Sequence, residues 1–246
     1  MTAKVIGGSF IEEPIGGEDR GSFAVKNRML TNNGKETFCY QVCRYSIVKR
    51  PDGVLLICEC AIHRDESDIW LGDQEEMGLA VRVATPIAIK SEKGGRIRDS
   101  QGRIELKQIR TNQSDWCDYS GPIAGKYGGI LLMNDQRNLR KPWWHAVDTG
   151  LLVANPLGES ELNGRGKKRQ NVLVEKGKPF TLRYGVLIHL HDRESEFDPA
   201  SAFEDFLEVL PKLDSVKTSA TQSSLPHVPD FLVSKRLKPI YSILNF

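Results

Sequence analysis

The sequence predicts an all-β fold: a large antiparallel β-sandwich followed by a short C-terminal helix and a flexible tail. Turn signals such as Pro51-Asp52-Gly53 and Ser100-Gln101-Gly102 recur at short intervals over the first 180 residues. The runs between them are rich in β-branched and aromatic residues and have the length of strands. No segment before residue 198 has a sustained apolar period of 3.6 residues, so a helical core is not expected there.

The clearest predicted hairpin joins residues 36–49 to residues 53–63 through Pro51-Asp52-Gly53. Alternation along the second strand places Cys58 and Cys60 on one face as small apolar residues. The chain has five cysteines, no Cys-x-x-Cys pair and no partner at a zinc-finger spacing. Free buried thiols in a cytoplasmic protein are therefore expected.

Residues 76–90 are predicted as a strand whose odd positions, from Met77 to Ile89, form an apolar face. Glu76 and Arg82 then lie on the opposite face. Stacked antiparallel sheets with one apolar and one polar face are the expected result.

Residues 182–191 form the second strand with clear alternation. Tyr184, Val186 and Ile188 are predicted to point into the core. The polar face of this strand is expected to carry Arg183, His189 and His191.

The end of the chain changes character at Asp198-Pro199, which predicts an N-cap followed by proline in the first turn of a helix. The expected organisation is one β-domain over residues 1–197, a helix over 198–213 and a poorly ordered tail over 214–246.

The charge balance excludes several classes of partner. The 34 basic and 32 acidic residues give a net charge of +2, too balanced for a nucleic-acid binder that relies on neutralising phosphates. The one basic cluster, residues 165–169, follows Asn163-Gly164 and is interpreted as an exposed hairpin loop. No apolar stretch approaches the ~20 residues needed to cross a bilayer, and no signal peptide is evident.

His189 and His191 could ligate one metal, because side chains at i and i+2 of a strand point the same way. A third ligand at a diagnostic spacing is missing, so no bound metal and no cofactor are expected. Dinucleotide, P-loop, serine-hydrolase and zinc-protease motifs are also absent.

Trp143 and Trp144 are adjacent and should face opposite sides of a strand, one in the core and one at the surface. A surface tryptophan near Trp116 and Tyr119 would suit stacking on a sugar ring. The alternative is that both tryptophans fill a sandwich core.

Five segments taken together resemble the bacterial PmoA-like domain, a family of uncharacterised proteins labelled methane oxygenase PmoA. The resemblance covers about residues 20–192, and its segments are Glu75–Arg82, Trp116–Gly121, Asn138–His145, Ala154–Gly158 and Leu182–His189. It implies a supersandwich similar to galactose mutarotase, in proteins often found with carbohydrate metabolism. The membrane helices of a particulate methane monooxygenase subunit are not present in the sequence.

Members of that family tend to carry an earlier segment with a paired His-His-x-Gly motif. This chain lacks the motif, and His63 stands alone. The difference favours binding over catalysis.

The expected function is binding of a carbohydrate or sugar acid as a small-molecule partner, with mutarotase-like or epimerase-like proton transfer if the protein is an enzyme. The expected site has three catalytic groups, His145 and His189 as acids or orienting groups and Glu76 as base. The residues expected to position the ligand are Arg82, Trp116, Asp118, Tyr119, Trp144 and Asn155. The alternatives are a non-catalytic carbohydrate-binding module and a metal-dependent sugar lyase or hydrolase built on His189 and His191.

Overall fold

A computed structural model describes residues 4–31, 34–75, 77–163 and 171–221. The strands in these ranges are β1 (Lys4–Gly16), β2 (Arg20–Leu30), β3 (Thr37–Arg50), β4 (Gly53–His63), β5 (Ile69–Leu71), β6 (Leu79–Arg82), β7 (Arg96–Asp99), β8 (Trp116–Ile123), β9 (Lys126–Asn134), β10 (Trp143–Ala146), β11 (Leu151–Asn155), β12 (Val172–Val174) and β13 (Phe180–His191). The helices are α1 (Leu106–Ile109), α2 (Glu159–Asn163) and α3 (Pro199–Thr221), with short 3-10 turns at Thr85–Ile87, Ile89–Ser91 and Glu194–Glu196.

The strands form one large antiparallel sheet and two small ones. The large sheet has eight strands in the order β1-β2-β3-β4-β13-β9-β8-β7. A three-stranded sheet has the order β10-β11-β6, and β12 pairs with β5. The all-β, antiparallel fold class expected from the sequence is confirmed.

The hairpin predicted around Pro51-Asp52-Gly53 is also confirmed, because β3 pairs with β4 along the whole length of β4. β4 in turn pairs with β13, although the partners Gly53 and His189 lie 136 positions apart in the sequence. Ten register positions fix β13 against β4. This long-range pairing places β13 in the middle of the large sheet.

One face of the large sheet packs against the three-stranded sheet. Side chains from both sheets form a single buried cluster that includes Cys58, Cys60, Tyr184, Leu152 and Trp144. The same-face prediction for Cys58 and Cys60 is confirmed, and all five cysteines are free and buried.

The opposite face of the large sheet is covered by α3. Phe203, Phe206 and Leu210 of the helix pack on a second buried cluster of sheet residues, which contains Leu55, Ile57, Leu131, Met133 and Leu187. Gly185 of β13 permits this close packing, since a Cβ atom there would lie 2.7 Å from the Phe206 ring. We refer to this side of the large sheet as the helix face.

The strand predicted over residues 76–90 is shorter than expected, and the prediction is wrong for its second half. β6 ends at Arg82, and two 3-10 turns follow from Thr85. Pro86 has no N–H to contribute to a strand ladder, which explains why the pairing stops before it. Glu76 lies outside the described residues.

The core prediction for β13 is correct for Tyr184 and Val186 and wrong for Ile188, which is 54% exposed. Leu190 is exposed to a similar degree. The three-stranded sheet does not cover this end of β13. Alternation therefore assigned the correct side to Ile188, but that side faces solvent here.

The C-terminal helix starts as predicted. The Asp198 side chain accepts a hydrogen bond from Ala200 N at 2.9 Å, as an N-cap does. The helix is longer than predicted, however, and runs through Pro211 to Thr221. Proline removes one backbone hydrogen bond, but its fixed φ is compatible with a helix. Residues 222–246 and residues 164–170, which contain the basic cluster predicted as a hairpin loop, lie outside the described residues.

Candidate functional site

The aromatic residues expected to stack on a sugar are buried, so that part of the site prediction is wrong. Trp144 and Tyr119 are fully buried in the cluster between the two sheets, and Trp116 is buried on the helix face. Trp143 points away from Trp144 along β10 as predicted, but it is buried as well. The Trp144 indole N–H donates to Ser114 Oγ at 2.6 Å, which satisfies its polar atom inside the core.

The Tyr119 hydroxyl is hydrogen-bonded to the backbone of two neighbouring segments. The hydroxyl accepts a hydrogen bond from Ile89 N at 3.0 Å and lies 3.2 Å from the carbonyl oxygen of Asp148. All of its polar capacity is directed at the backbone, so Tyr119 has a structural role.

His189 and Asp118 meet on the helix face, at the end of the sheet where β13, β9, β8 and β7 are neighbours. His189 Nε2 lies 3.0 Å from Asp118 Oδ1, and both side chains are buried. A carboxylate accepts hydrogen bonds, so Nε2 carries the proton and Nδ1 of the neutral ring keeps a lone pair. This is the arrangement by which a carboxylate orients a catalytic histidine.

Three further side chains complete a buried polar group around Asp118. Arg98 Nε donates to Asp118 Oδ2 at 3.0 Å. Ser120 Oγ donates to the same oxygen at 2.7 Å and receives a hydrogen bond from the Tyr127 hydroxyl at 2.9 Å. Burial raises the pKa of Tyr127, which keeps its hydroxyl protonated as a donor. We call these five residues, Arg98, Asp118, Ser120, Tyr127 and His189, the His189 cluster.

The strand register explains why these residues meet. Ser120 pairs with Gly129 of β9, and Gly129 pairs with His189 of β13. A Cβ at Gly129 would lie 2.5 Å from Ser120, so glycine permits the close approach of the strands. Asp118 pairs with Arg98 of β7 in the same way.

Phe197 covers the His189 cluster. Its ring stacks on the His189 imidazole with centroids 3.7 Å apart and also contacts the ring of His191 at 4.9 Å. The Arg98 guanidinium lies 5.8 Å from the centre of the same ring. A single aromatic side chain therefore packs against both histidines and lies near the arginine.

The segment that carries Phe197, residues 192–197, is attached to the sheet by exposed ion pairs. Arg96 of β7 lies 2.6 Å from Glu194, and Lys126 of β9 lies 2.8 Å from Asp192. Exposed pairs of this kind contribute little stability and weaken with salt. We call residues 192–197 the covering segment.

Three buried polar atoms beneath the covering segment have no hydrogen-bond partner among the residues that the structure describes. They are Arg98 Nη2, His189 Nδ1 and His191 Nε2. Buried polar atoms without partners are uncommon in native proteins, and a bound ligand is one explanation for three of them in one place. Two donors or acceptors on histidine and one guanidinium donor suit a ligand that carries hydroxyl or carboxylate oxygens.

His145 does not join this group. It lies on the outer face of the three-stranded sheet, with Nδ1 2.9 Å from Glu75 Oε1. Arg110 Nη2 lies 2.8 Å from the same carboxylate oxygen. The large sheet and its core separate His145 from His189, so the predicted convergence of the two histidines is wrong.

Two other predicted ligand-positioning residues also lie on the three-stranded sheet. The Asn155 amide donates to the carbonyl oxygens of Gln74 and Glu75 at 2.7 and 3.0 Å, which fixes the loop that carries Glu75. Arg82 donates to the carbonyl oxygen of Thr149 at 3.0 Å near the surface. Neither residue approaches the His189 cluster.

The structure thus brings together two of the predicted site residues, Asp118 and His189. Ser120 could have been found from the sequence, because it lies two positions after Asp118 on the same strand face. Tyr127 and Arg98 required the strand register, and Phe197 required the position of α3. None of these three carries a local sequence signal for the site.

Among the residues that the structure describes, no group of three or more His, Cys, Asp or Glu side chains is arranged to hold a metal ion. The same ranges contain no helix that is long and apolar enough to cross a membrane.

Comparison with known proteins identifies the family of the chain but indicates no activity. No curated protein and no solved structure shows significant similarity to the chain. The model of a family of unknown function, DUF6807, matches residues 11–200. This range includes every strand from β2 to β13 and all five residues of the His189 cluster. The chain therefore belongs to the DUF6807 family.

Proposed function

We propose that the His189 cluster binds a carbohydrate or sugar acid and that His189 transfers a proton to or from a hydroxyl group of this ligand. The observation that carries the proposal is a set of three buried atoms, without partners in the described part of the chain, beside an oriented histidine–aspartate pair. The resemblance of five segments to the PmoA-like domain, with its galactose-mutarotase-like expectation, supports the choice of ligand class.

The proton chemistry follows from the hydrogen bonds. Asp118 accepts from His189 Nε2, so Nδ1 is the basic atom and points away from the carboxylate. Asp118 also stabilises the imidazolium that forms when Nδ1 takes a proton. Three donors, from Arg98, Ser120 and His189, hold this carboxylate in place. Little reorganisation is then required during proton transfer.

In a mutarotase-like reaction, His189 Nδ1 removes the proton of the anomeric hydroxyl while the ring oxygen gains a proton and the ring C–O bond opens. Water that enters with the ligand gives that second proton, because the lowered pKa of His191 leaves its imidazole neutral near neutral pH. His191, whose ring lies 5.3 Å from the His189 ring, is placed to hydrogen-bond a ligand oxygen. Arg98 Nη2 is the donor placed for a ligand oxygen or carboxylate. Rotation about the C1–C2 bond and reversal of both transfers then give the other anomer.

The ligand must displace Phe197 to reach these atoms. Phe197 stacks on His189 as a flat apolar surface, and the apolar face of a sugar ring is similar in this respect. The exposed ion pairs of the covering segment are weak enough to open without unfolding the sheet.

The test is a ligand screen by saturation-transfer NMR with neutral monosaccharides and uronic acids, followed by polarimetry of freshly dissolved ligand. Wild-type protein should bind at least one compound and accelerate anomer exchange. His189→Gln should lose both activities. His145→Gln is the matched control, because His145 is also a buried histidine beside a carboxylate, that of Glu75, and the change should affect neither activity.

Binding without accelerated exchange would favour the carbohydrate-binding module. Equal binding by His189→Gln and wild type would show that the ligand lies elsewhere, and loss of binding in His145→Gln would move the site to Glu75 and His145. Absence of binding across both classes of compound would contradict the proposal.

A further inference from the structure

Cys43 and Cys60 face each other across the β3–β4 hairpin, on the face of the large sheet opposite to the His189 cluster. They are direct partners in the strand register, and their sulfur atoms lie 3.5 Å apart. Both belong to the cluster between the large and three-stranded sheets. The pairing is specific, because Cys58 lies opposite Tyr45 instead.

The geometry of this pair is close to that of a disulfide. Directly opposite residues of antiparallel strands have Cβ atoms roughly 4.5–5.5 Å apart, whereas a disulfide needs about 3.5–4.5 Å. A movement of about 1 Å, shared by two strands, therefore permits the bond. Cys39 has Met29 as its sulfur neighbour, and Cys117 lies on β8, so neither has such a partner.

The two thiols also differ in acidity. A hydrogen bond from the Cys60 thiol favours the Cys43 thiolate and lowers the pKa of Cys43, an effect that burial opposes. Burial raises the pKa of Cys58 to about 12 and that of Cys39 to about 11. Since the thiolate is the nucleophile, Cys43 is the cysteine of this protein best suited to attack an oxidant.

We propose that Cys43 and Cys60 form a redox-sensitive dithiol that closes to a cross-strand disulfide when the protein meets hydrogen peroxide. The Cys43 thiolate attacks one peroxide oxygen, the O–O bond breaks, and Cys43 becomes a sulfenic acid while hydroxide leaves and takes up a proton as water. The Cys60 sulfur then attacks the Cys43 sulfur, the S–O bond breaks, and a second water leaves. Two thiols are oxidised and one peroxide is reduced to two waters.

The oxidant must be small, since the side chains of Cys43 and Cys60 are buried, with 1% and 3% exposure. Solvent exposure increases along the same face of β3, from half-buried Tyr45 to Ile47, which is 40% exposed. Tyr45 lies between Cys43 and this exposed end of the face. A bulky oxidant such as glutathione disulfide has no comparable access.

The test is peroxide treatment of the native full-length protein, alkylation of the remaining thiols and peptide mapping by mass spectrometry. We expect one link, Cys43 to Cys60, with loss of two hydrogen atoms and full reversal by dithiothreitol. Cys58→Ala is the matched control, because Cys58 is on the same strand face two residues from Cys60, and it should keep the link. Cys43→Ala should slow peroxide oxidation of the remaining thiols at least about tenfold.

The wild-type map decides the question even if a variant fails to fold. Five alkylated thiols in native protein, under conditions that oxidise the urea-unfolded chain, would overturn the proposal. A link to Cys58 or Cys39 in native protein would overturn it as well, as would equal rates of formation with glutathione disulfide and peroxide.

Discussion

The ring of Phe197 lies almost parallel to the imidazole of His189, with 16° between their planes and 3.7 Å between their centroids. Phe197 precedes α3 by two residues, and His189 is the buried partner of Asp118. Phe197, which comes just before the helix, therefore covers the most polar part of the helix face. Access to the site therefore depends on Phe197, which also packs in the cluster under α3.

We expect Phe197→Ala to expose His189 to chemical modification. In wild-type protein His189 is 2% exposed and should react slowly with diethyl pyrocarbonate. Removal of the ring should accelerate this reaction and destabilise the fold by about 3–5 kcal/mol. Phe203→Ala is the control, because it removes a ring from the same cluster without contact to His189. Equal modification rates in the two variants would mean that Phe197 is not the cover.

Asp118→Ala should destabilise the protein by about 3 kcal/mol in chemical denaturation, since it leaves Arg98 and His189 without their carboxylate. Asp192→Ala provides the contrast, because its partner Lys126 is at the surface and its midpoint should change little. Similar midpoints for the two variants would mean that the Asp118 carboxylate contributes no more to stability than an exposed carboxylate does.

Adjacent residues of β13 should respond oppositely to truncation. Leu187 is buried under α3, so Leu187→Ala should cost about 2–5 kcal/mol. Ile188→Ala should cost well under half of that, because the side chain is already exposed. Urea denaturation of both variants measures the difference, and a larger loss for Ile188→Ala would reverse the face assignment.

Stability should fall below about pH 6.5 in part because of His191. Desolvation, with a smaller contribution from His189, lowers the pKa of His191 from its usual 6.5 in the folded protein. As the pH falls through 6.5, the unfolded chain gains a proton that the folded protein does not, so unfolding is favoured. This loss of stability is complete once the pH lies below the pKa of His191 in the folded protein. Denaturation midpoints from pH 8 to pH 5 should show a smaller decrease in His191→Gln.

Strand-level features could be predicted from local sequence. The β3–β4 hairpin and the shared face of Cys58 and Cys60 follow from turn residues and a period of two, which are properties of a single segment. Ile188 shows the limit of the same rule. Alternation gives the side of a strand, whereas burial depends on what covers that side, and the three-stranded sheet ends before Ile188.

The candidate site could be predicted only in part, for a related reason. Asp118 and His189 were distinguishable as polar residues in β-rich segments, but their pairing depends on β9 lying between β8 and β13. Trp144 and Tyr119 were equally distinctive in sequence and proved to be core residues whose polar atoms are satisfied inside. Residue type identified candidates, and only the register separated the site from the core.

The order of synthesis gives the helix face a further significance. β4, β9 and β13 precede α3 in the chain, so the ribosome releases the strands of this face before the helix that covers them. Until α3 docks, the newly assembled sheet presents Leu55, Leu131 and Leu187 to solvent or to chaperones. Every nascent molecule therefore passes through a period in which it can aggregate. This period ends when the Phe206 ring packs against Gly185.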